Sequence, residues 1–194
     1  MQPSEKVEHM PPEAPKIQIP LLRLGALVAV ALAAFVLAWL LLKDGGGKSN
    51  PATTGVSGTA SEAQLEQLAN ATDHPVYWAG VRKGFSYELT QTKDGRIFIR
   101  YLPSGVKAGD PRPNYLAIGT YPRANAYVEL SRAAKRHGAV SVKIDGGGLL
   151  VFNEAKPTNV YFGYPNAKYQ VEVFSPSAET ARSLVLTRKI KPIE

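Results

Sequence analysis

The sequence predicts an α+β protein on a membrane anchor: one amino-terminal transmembrane helix, a flexible tether, and a mostly antiparallel sheet with two or three helices on one face. Three observations predict it. Leu24 to Leu42 runs without a charged or strongly polar side chain, and as a helix rising about 1.5 Å per residue it covers roughly 28 Å, nearly the hydrocarbon thickness of a bilayer. Gly45 to Ala60 is built of Gly, Ser, Thr, Ala and Pro with hardly a large apolar residue, the composition of a flexible chain. From Asp73 onward, period-two alternation of apolar and polar residues recurs, broken by stretches at helical spacing, which is the pattern of strands interrupted by helices.

These observations divide the chain into a disordered tail (1–23), a transmembrane helix (24–42), a linker (43–60) and an α+β extracytoplasmic domain (61–194). The tail carries Pro3, Pro11, Pro12, Pro15 and Pro20 among charged residues and has too little apolar surface to order itself. The apolar stretch is longer than the roughly 7 to 15 residues of a signal peptide, and Leu40, Leu41 and Leu42 run straight into Lys43 and Asp44 with no small-residue cleavage site. It therefore reads as an uncleaved anchor bounded by Leu24 and Leu42, with Trp39 at the interfacial end. The basic residues flanking it, Lys6, Lys16 and Arg23 against Lys43 and Lys48, give only a slight bias. A short amino-terminal tail left in the cytoplasm and a long exported domain is the usual outcome for such an anchor. The reading is a single-pass cell-membrane protein.

Within the domain, Ser61 and Gln64 form a capping-box pattern ahead of Leu65, Leu68 and Ala69, a short helix between tether and sheet. Phe85, Tyr87 and Leu89 alternate with Ser86, Glu88 and Thr90; Ile97, Ile99 and Tyr101 resume the alternation after Asp94-Gly95, a hairpin signal. A Pro/Gly loop from Pro103 to Asn114 leads to a strand over Tyr115 to Tyr121. Pro122 and Asn125 open a helix with Ala126, Leu130 and Ala133 on one face, Lys135 and Arg136 in its last turn and Gly138 as its stop. Val140 to Ile144 and Leu149 to Phe152 form a second hairpin. Strands around Val160 to Tyr164 and Tyr169 to Phe174 lead to a last helix entered at Ser175-Pro176.

Charge is concentrated in the domain. Eighteen Lys and Arg against nine Asp and Glu follow Asp73, whereas the segment up to and including it holds five against seven. The formal charge of +7 thus originates in the folded part, and anionic lipid headgroups or acidic envelope polymers are the partners it favours. Arg132, Lys135 and Arg136 are the clustered cations and the candidate anionic-surface contacts. Nucleic acid fits poorly, since the other basic residues are scattered and no nucleic-acid-binding motif accompanies them. In the span, Gly25, Ala29 and Ala33 form a small-residue stripe through which two helices can approach.

No catalytic, metal or cofactor site is predicted. His9, His74 and His137 lack acidic or histidine partners at ligand spacing. Gly146, Gly147 and Gly148 are followed by Leu149 to Phe152 rather than by a helix terminus with a lysine, so they read as a turn and not a phosphate cradle. Zero cysteines remove disulfides and thiol chemistry. Tyr77-Trp78 reads as one edge of the core.

Two strand, proline-turn, basic-helix units, Tyr115 to Gly138 and Tyr169 to Lys189, give a faint internal echo. In outline this resembles the sporulation-related repeat domain that binds peptidoglycan, with Gly119, Thr120 and Tyr121 as the matching step, although the final strand of such a domain is missing after Lys191-Pro192. The strings His74 to Gly80, Tyr87 to Thr90, Arg100 to Pro103 and Gly119 to Pro122 resemble those of uncharacterised single-pass proteins of high-GC Gram-positive bacteria. That resemblance implies a bacterial cell membrane and an exported domain, and no activity. The function expected is a membrane-tethered binding or interaction module that contacts anionic lipid, an envelope polymer or a membrane protein complex. The alternative is an envelope hydrolase or transferase with an unrecognised site.

Overall fold

The computed structural model describes residues 56–194. Leu24, Trp39 and Leu42, which bound the anchor expected from the sequence, lie outside the described residues, and among the described residues no helix is long and apolar enough to cross a membrane. In chain order the elements are β1 (Val56–Ala60), α1 (Glu62–Ala71), β2 (Tyr77–Trp78), β3 (Phe85–Gln91), β4 (Ile97–Pro103), β5 (Ala117–Pro122), α2 (Ala126–Ala133), β6 (Ala139–Ile144), β7 (Gly148–Asn153), β8 (Lys156–Gly163), β9 (Tyr169–Phe174), α3 (Ala178–Leu186) and β10 (Lys191–Pro192). Eight strands make one sheet in the order β1-β3-β4-β5-β9-β8-β7-β6, every neighbouring pair antiparallel. β2 and β10 form a separate two-stranded ladder.

The three helices do not all share one face: α1 and α3 lie on one face and α2 on the other, where the sequence reading put two or three on a single face. Leu150 of β7 packs in the same core as Ala181, Leu184 and Val185 of α3, whereas its neighbours Leu149 and Val151 pack with Leu130 and Ala133 of α2. Successive side chains of a strand point to opposite faces, so α2 and α3 cover opposite faces of the sheet. Leu65 of α1, Tyr77 and Trp78 of β2, and Ile190 and Ile193 beside β10 join the core on the α3 side. Both faces of the central strands are therefore covered, and Ile97 to Leu102 of β4 are buried without interruption. Such strands carry apolar runs rather than clean alternation.

Three local features also differ from the sequence reading. Val56–Ala60, part of the stretch read as tether, is β1, which extends the sheet beyond β3; small residues lengthen a backbone ladder without burying large side chains. Ser177, not Ser175, caps α3, its Oγ accepting the Thr180 N–H at 3.2 Å; Ser175 is buried and accepts the Ser177 N–H at 3.3 Å, which leaves Pro176 ahead of the cap. Lys191 and Pro192, which the sequence reading left outside any strand, are β10 and pair with Trp78 and Tyr77. Because β1 supplies the outer ladder of β3, a chain beginning at Val56 should unfold at a higher urea midpoint than one beginning at Ser61; equal midpoints would show that β1 adds nothing.

Lys135 and Arg136, expected in the last turn of α2, lie in the turns that follow it, since the helix ends at Ala133; Pro122, expected to open that helix, closes β5, which begins at Ala117 and not at Tyr115. Other elements agree with the sequence. Ser61 and Gln64 make the reciprocal capping box at the start of α1. Ala126, Leu130 and Ala133 are the buried stripe of α2, and the chain turns away at Gly138, whose φ of +72° favours glycine.

Candidate functional site

The β3–β4 hairpin is closed at one end by the Thr92–Arg96 turn, where the Thr92 N–H meets the Arg96 carbonyl at 2.9 Å. At its open end Phe85 faces Pro103. Two successive rungs near that end, Tyr87 opposite Tyr101 and Glu88 opposite Arg100, point to opposite faces of the sheet. Each rung holds one loop.

The tyrosines hold residues 79–84. Tyr101 Oη accepts the Ala79 N–H at 2.7 Å and donates to the Gly80 carbonyl at 3.1 Å, while Tyr87 Oη accepts the Arg82 N–H at 3.0 Å. Burial pushes the Tyr101 hydroxyl well above its ordinary pKa, which keeps its proton in place. The Gly84 carbonyl accepts both the N–H and the hydroxyl of Ser104, at 2.9 and 3.0 Å. Gly80 and Gly84 take φ values of +71° and +83°, so the loop is bounded by two glycine turns. Pinned this way, it holds Val81 60% exposed beside Phe85, which is 39% exposed. Lys83 is also exposed, and the Arg82 guanidinium lies 5.5 Å from the centre of the Tyr101 ring.

The ion pair holds the longer loop between β4 and β5. Arg100 Nη1 meets Glu88 Oε2 at 2.6 Å, and both side chains are buried. The other carboxylate oxygen accepts the Gly109 N–H at 2.7 Å, and Arg100 Nη2 donates to the carbonyls of Asp110 and Arg112 at 2.9 and 3.2 Å. Each buried charge thereby finds its partners. Arg100 and Arg112 both approach the Tyr115 ring, at 5.2 and 5.6 Å from its centre. Arg112 also grips Asp110 with two bonds of 2.9 and 2.7 Å and holds that carboxyl well below the usual range. Lys107 projects from the loop into solvent.

The open end is thus a preorganised tip with apolar residues and cations exposed on fixed loops. Such a surface loses little ordering entropy on binding, and its chemistry suits a partner with negative groups and apolar patches. The described chain begins at the opposite end of the same strands, where Val56 faces Gln91. β3 spans about 20 Å between the two ends at the usual rise per residue.

A second polar cluster lies on the α2 side of the sheet. Glu172 of β9 is 2% exposed; Tyr121 donates to its Oε2 by a short hydrogen bond, and Asn159 Nδ2 and Tyr161 Oη donate to its Oε1 at 2.6 and 3.1 Å. Burial raises the carboxyl's pKa, opposed by these three donors. Burial and the adjacent carboxylate push both tyrosine hydroxyls up, so they remain donors. Gly119 makes room for this arrangement, because a Cβ there would stand 2.8 Å from the Tyr121 ring. The cluster fastens β5, β8 and β9 from within, out of reach of a ligand.

Arg132 and Lys135 are exposed and Arg136 is half-buried at the end of α2; none has a carboxylate partner among the described residues. They lie at the same strand ends as the two-loop tip, but β7 stands four places from β4. At about 20° of twist per strand the two patches face directions roughly 80° apart, so they are separate surfaces. His74 Nδ1 lies 3.2 Å from the Pro75 carbonyl, and no metal-binding group of His, Asp and Glu occurs among the described residues. Gly146 and Gly147 form the turn into β7, as expected. Tyr77 and Trp78 are buried in the core. The tip escaped the sequence reading, its only local signal being the glycine-bounded Gly80-Val81-Arg82-Lys83-Gly84. No family model matches the sequence, and neither a curated protein nor a solved structure matches it.

Proposed function

We propose that this chain is a membrane-tethered extracytoplasmic binding module whose two-loop tip, carried outward from the bilayer, engages an acidic polymer or protein of the envelope. One observation supports the reading: Val56, where β1 begins, lies beside one end of the β3–β4 hairpin and the exposed Val81, Phe85, Lys83 and Lys107 stand at the other, so a tether preceding Val56 would enter opposite the tip. A chain anchored through Leu24 to Leu42 presents that tip away from its own membrane, which favours a wall polymer or partner protein over the lipid headgroups beneath. Arg132, Lys135 and Arg136 supply a second cationic surface for the same class of partner. The arginines at the tether end, in contrast, are matched: Arg96 with Asp94, Arg123 with Glu129 and Arg188 with Asp145.

The full chain should sediment with membranes and resist carbonate extraction, because a buried apolar helix binds a bilayer far more strongly than surface charge does. Protease added to cells stripped of their wall should remove the domain. Recovery in the soluble fraction, or protection until lysis, overturns the placement. Residues 56–194 should co-sediment with insoluble wall polymer that retains its anionic groups, and not with polymer stripped of them. Salt should weaken the association steeply, since exposed charges are screened over about 8 Å at physiological ionic strength. Lys83→Glu combined with Lys107→Glu should reduce binding at least tenfold while moving stability by no more than about 0.5 kcal/mol. Unchanged binding in that variant removes the tip from the reading.

A further inference from the structure

The sheet has two outer edges, β1 and β6. β6 pairs with β7 alone, from Ala139 opposite Asn153 to Ile144 opposite Gly148. Gly138 continues that ladder, its carbonyl accepting the Glu154 N–H at 2.8 Å. The residues in step with it, Val140, Val142 and Ile144, therefore turn their backbone groups toward β7, and Ala139, Ser141 and Lys143 turn theirs outward. The Ala139 N–H is taken by the Arg136 carbonyl at 3.1 Å. The N–H and C=O of Ser141 and Lys143 face the open edge, the arrangement that templates a further strand. Beside them Val142 is 38% exposed, on the face shared with Val140 and Ile144.

We infer that β6 is a self-pairing edge: two copies of this chain join their β6 strands antiparallel about a two-fold axis at Val142. In that register Val142 of one copy faces Val142 of the other, Val140 faces Ile144, and Ser141 faces Lys143. Ser141 and Lys143 exchange both N–H···O bonds at each of the two symmetry-related pairs, which uses all of their outward backbone groups. The apolar face continues across the axis, and no lysine opposes a lysine, a placement that would repel. Lys143 is already drawn aside by the Tyr127 hydroxyl at 2.8 Å, its ammonium 5.5 Å from the centre of that ring. A strand from another protein would meet the same backbone groups; the side-chain register is what favours a second copy. One strand pair buries less than a standard interface of about 1,600 Å², so the association is weak unless the copies are concentrated, as on a shared membrane.

The chain contains no cysteine, so introduced cysteines report on their own position. Directly opposed residues of a non-hydrogen-bonded pair have Cα atoms about 4.5 Å apart, within disulfide reach. Under mild oxidation of the full-length chain, Val142→Cys should give a disulfide-linked dimer, while Leu186→Cys, exposed on α3, should remain monomeric. Val140→Cys and Ile144→Cys should each stay monomeric alone and link when the two are mixed, which fixes the register. Ser141→Pro removes an outward N–H and leaves the β7 ladder intact; placed in the Val142→Cys chain, it should cut dimer yield at least tenfold with an unchanged circular dichroism spectrum. Val142→Cys linking no faster than Leu186→Cys, failure of the mixed pair to link, or a mixed disulfide with a different protein as the product would each overturn the inference. The crosslink is scored in whichever fraction holds the chain, so its outcome is independent of the membrane placement.

Discussion

Glu172→Ala should cost the fold about 3 to 5 kcal/mol, because it strands the hydroxyls of Tyr121 and Tyr161 and the amide of Asn159 in a closed interior at about 1 to 3 kcal/mol each. At a typical urea dependence that lowers the unfolding midpoint by about 2 M, a large share of a domain's total stability. Glu172→Gln should behave differently, since an amide offers the cluster an acceptor and a donor, and either tyrosine can reverse its hydrogen bond. The pH dependence separates the two effects. Burial raises the Glu172 carboxyl above its ordinary value of 4.5 in the folded state, so its contribution to stability is complete below about pH 4.5 and is lost as pH rises through the raised folded value. The stability of Glu172→Gln relative to the natural chain should therefore increase from pH 4 upward and level off once the folded carboxyl has ionised. A difference that shrinks with pH would mean the folded carboxyl is stabilised in its charged form.

The second large effect is expected at Arg100. Arg100→Met leaves the Glu88 carboxylate buried without its cation and frees the loop from the bonds to the Asp110 and Arg112 carbonyls. Loss of one member of a buried pair costs about 3 to 5 kcal/mol. Glu88→Leu combined with Arg100→Met removes the stranded charge and should recover most of that loss. The loop should remain loose in both, so trypsin should cut after Lys107 in either variant long before it cuts the natural chain. If the double variant protects Lys107 as well as the natural chain does, the ion pair is not what holds the loop.

Much of the fold was legible where one element's own residues decided its structure. Asp94-Gly95 between two alternating stretches gave the β3–β4 hairpin, and Ala126, Leu130 and Ala133 gave the buried side of α2. The sidedness of the helices was not legible, because Leu149 to Phe152 is apolar at every position and does not say which face meets which helix. Gln170 and Glu172 alternate with Val171 and Val173 and look like the wet side of a strand, yet all four are buried. The helix that covers that side comes from a distant part of the chain. The same holds for Glu88 and Arg100, which read as outward charges until the loop folds over them. As for the site, Arg132, Lys135 and Arg136 were visible as a cluster in sequence. The tip was not, since Tyr87 and Tyr101 signal a core, and only the tertiary fold directs their hydroxyls to the backbone of residues 79–82.

The opposed rungs of the β3–β4 hairpin also bear on how this sheet assembles. If either strand slipped by one residue, its whole set of side chains would change sides. Glu88 or Arg100 would then enter the apolar core on the α3 side without its counterpart, and a tyrosine would be thrust beneath the longer loop, where a carboxylate or guanidinium is needed. Neither error can be relieved by a small adjustment, because a lone charge in that core is intolerable. The alternation of a tyrosine pair with an ion pair therefore acts as a proofreading device. Only the native alignment satisfies both faces at once, and that same alignment anchors both loops.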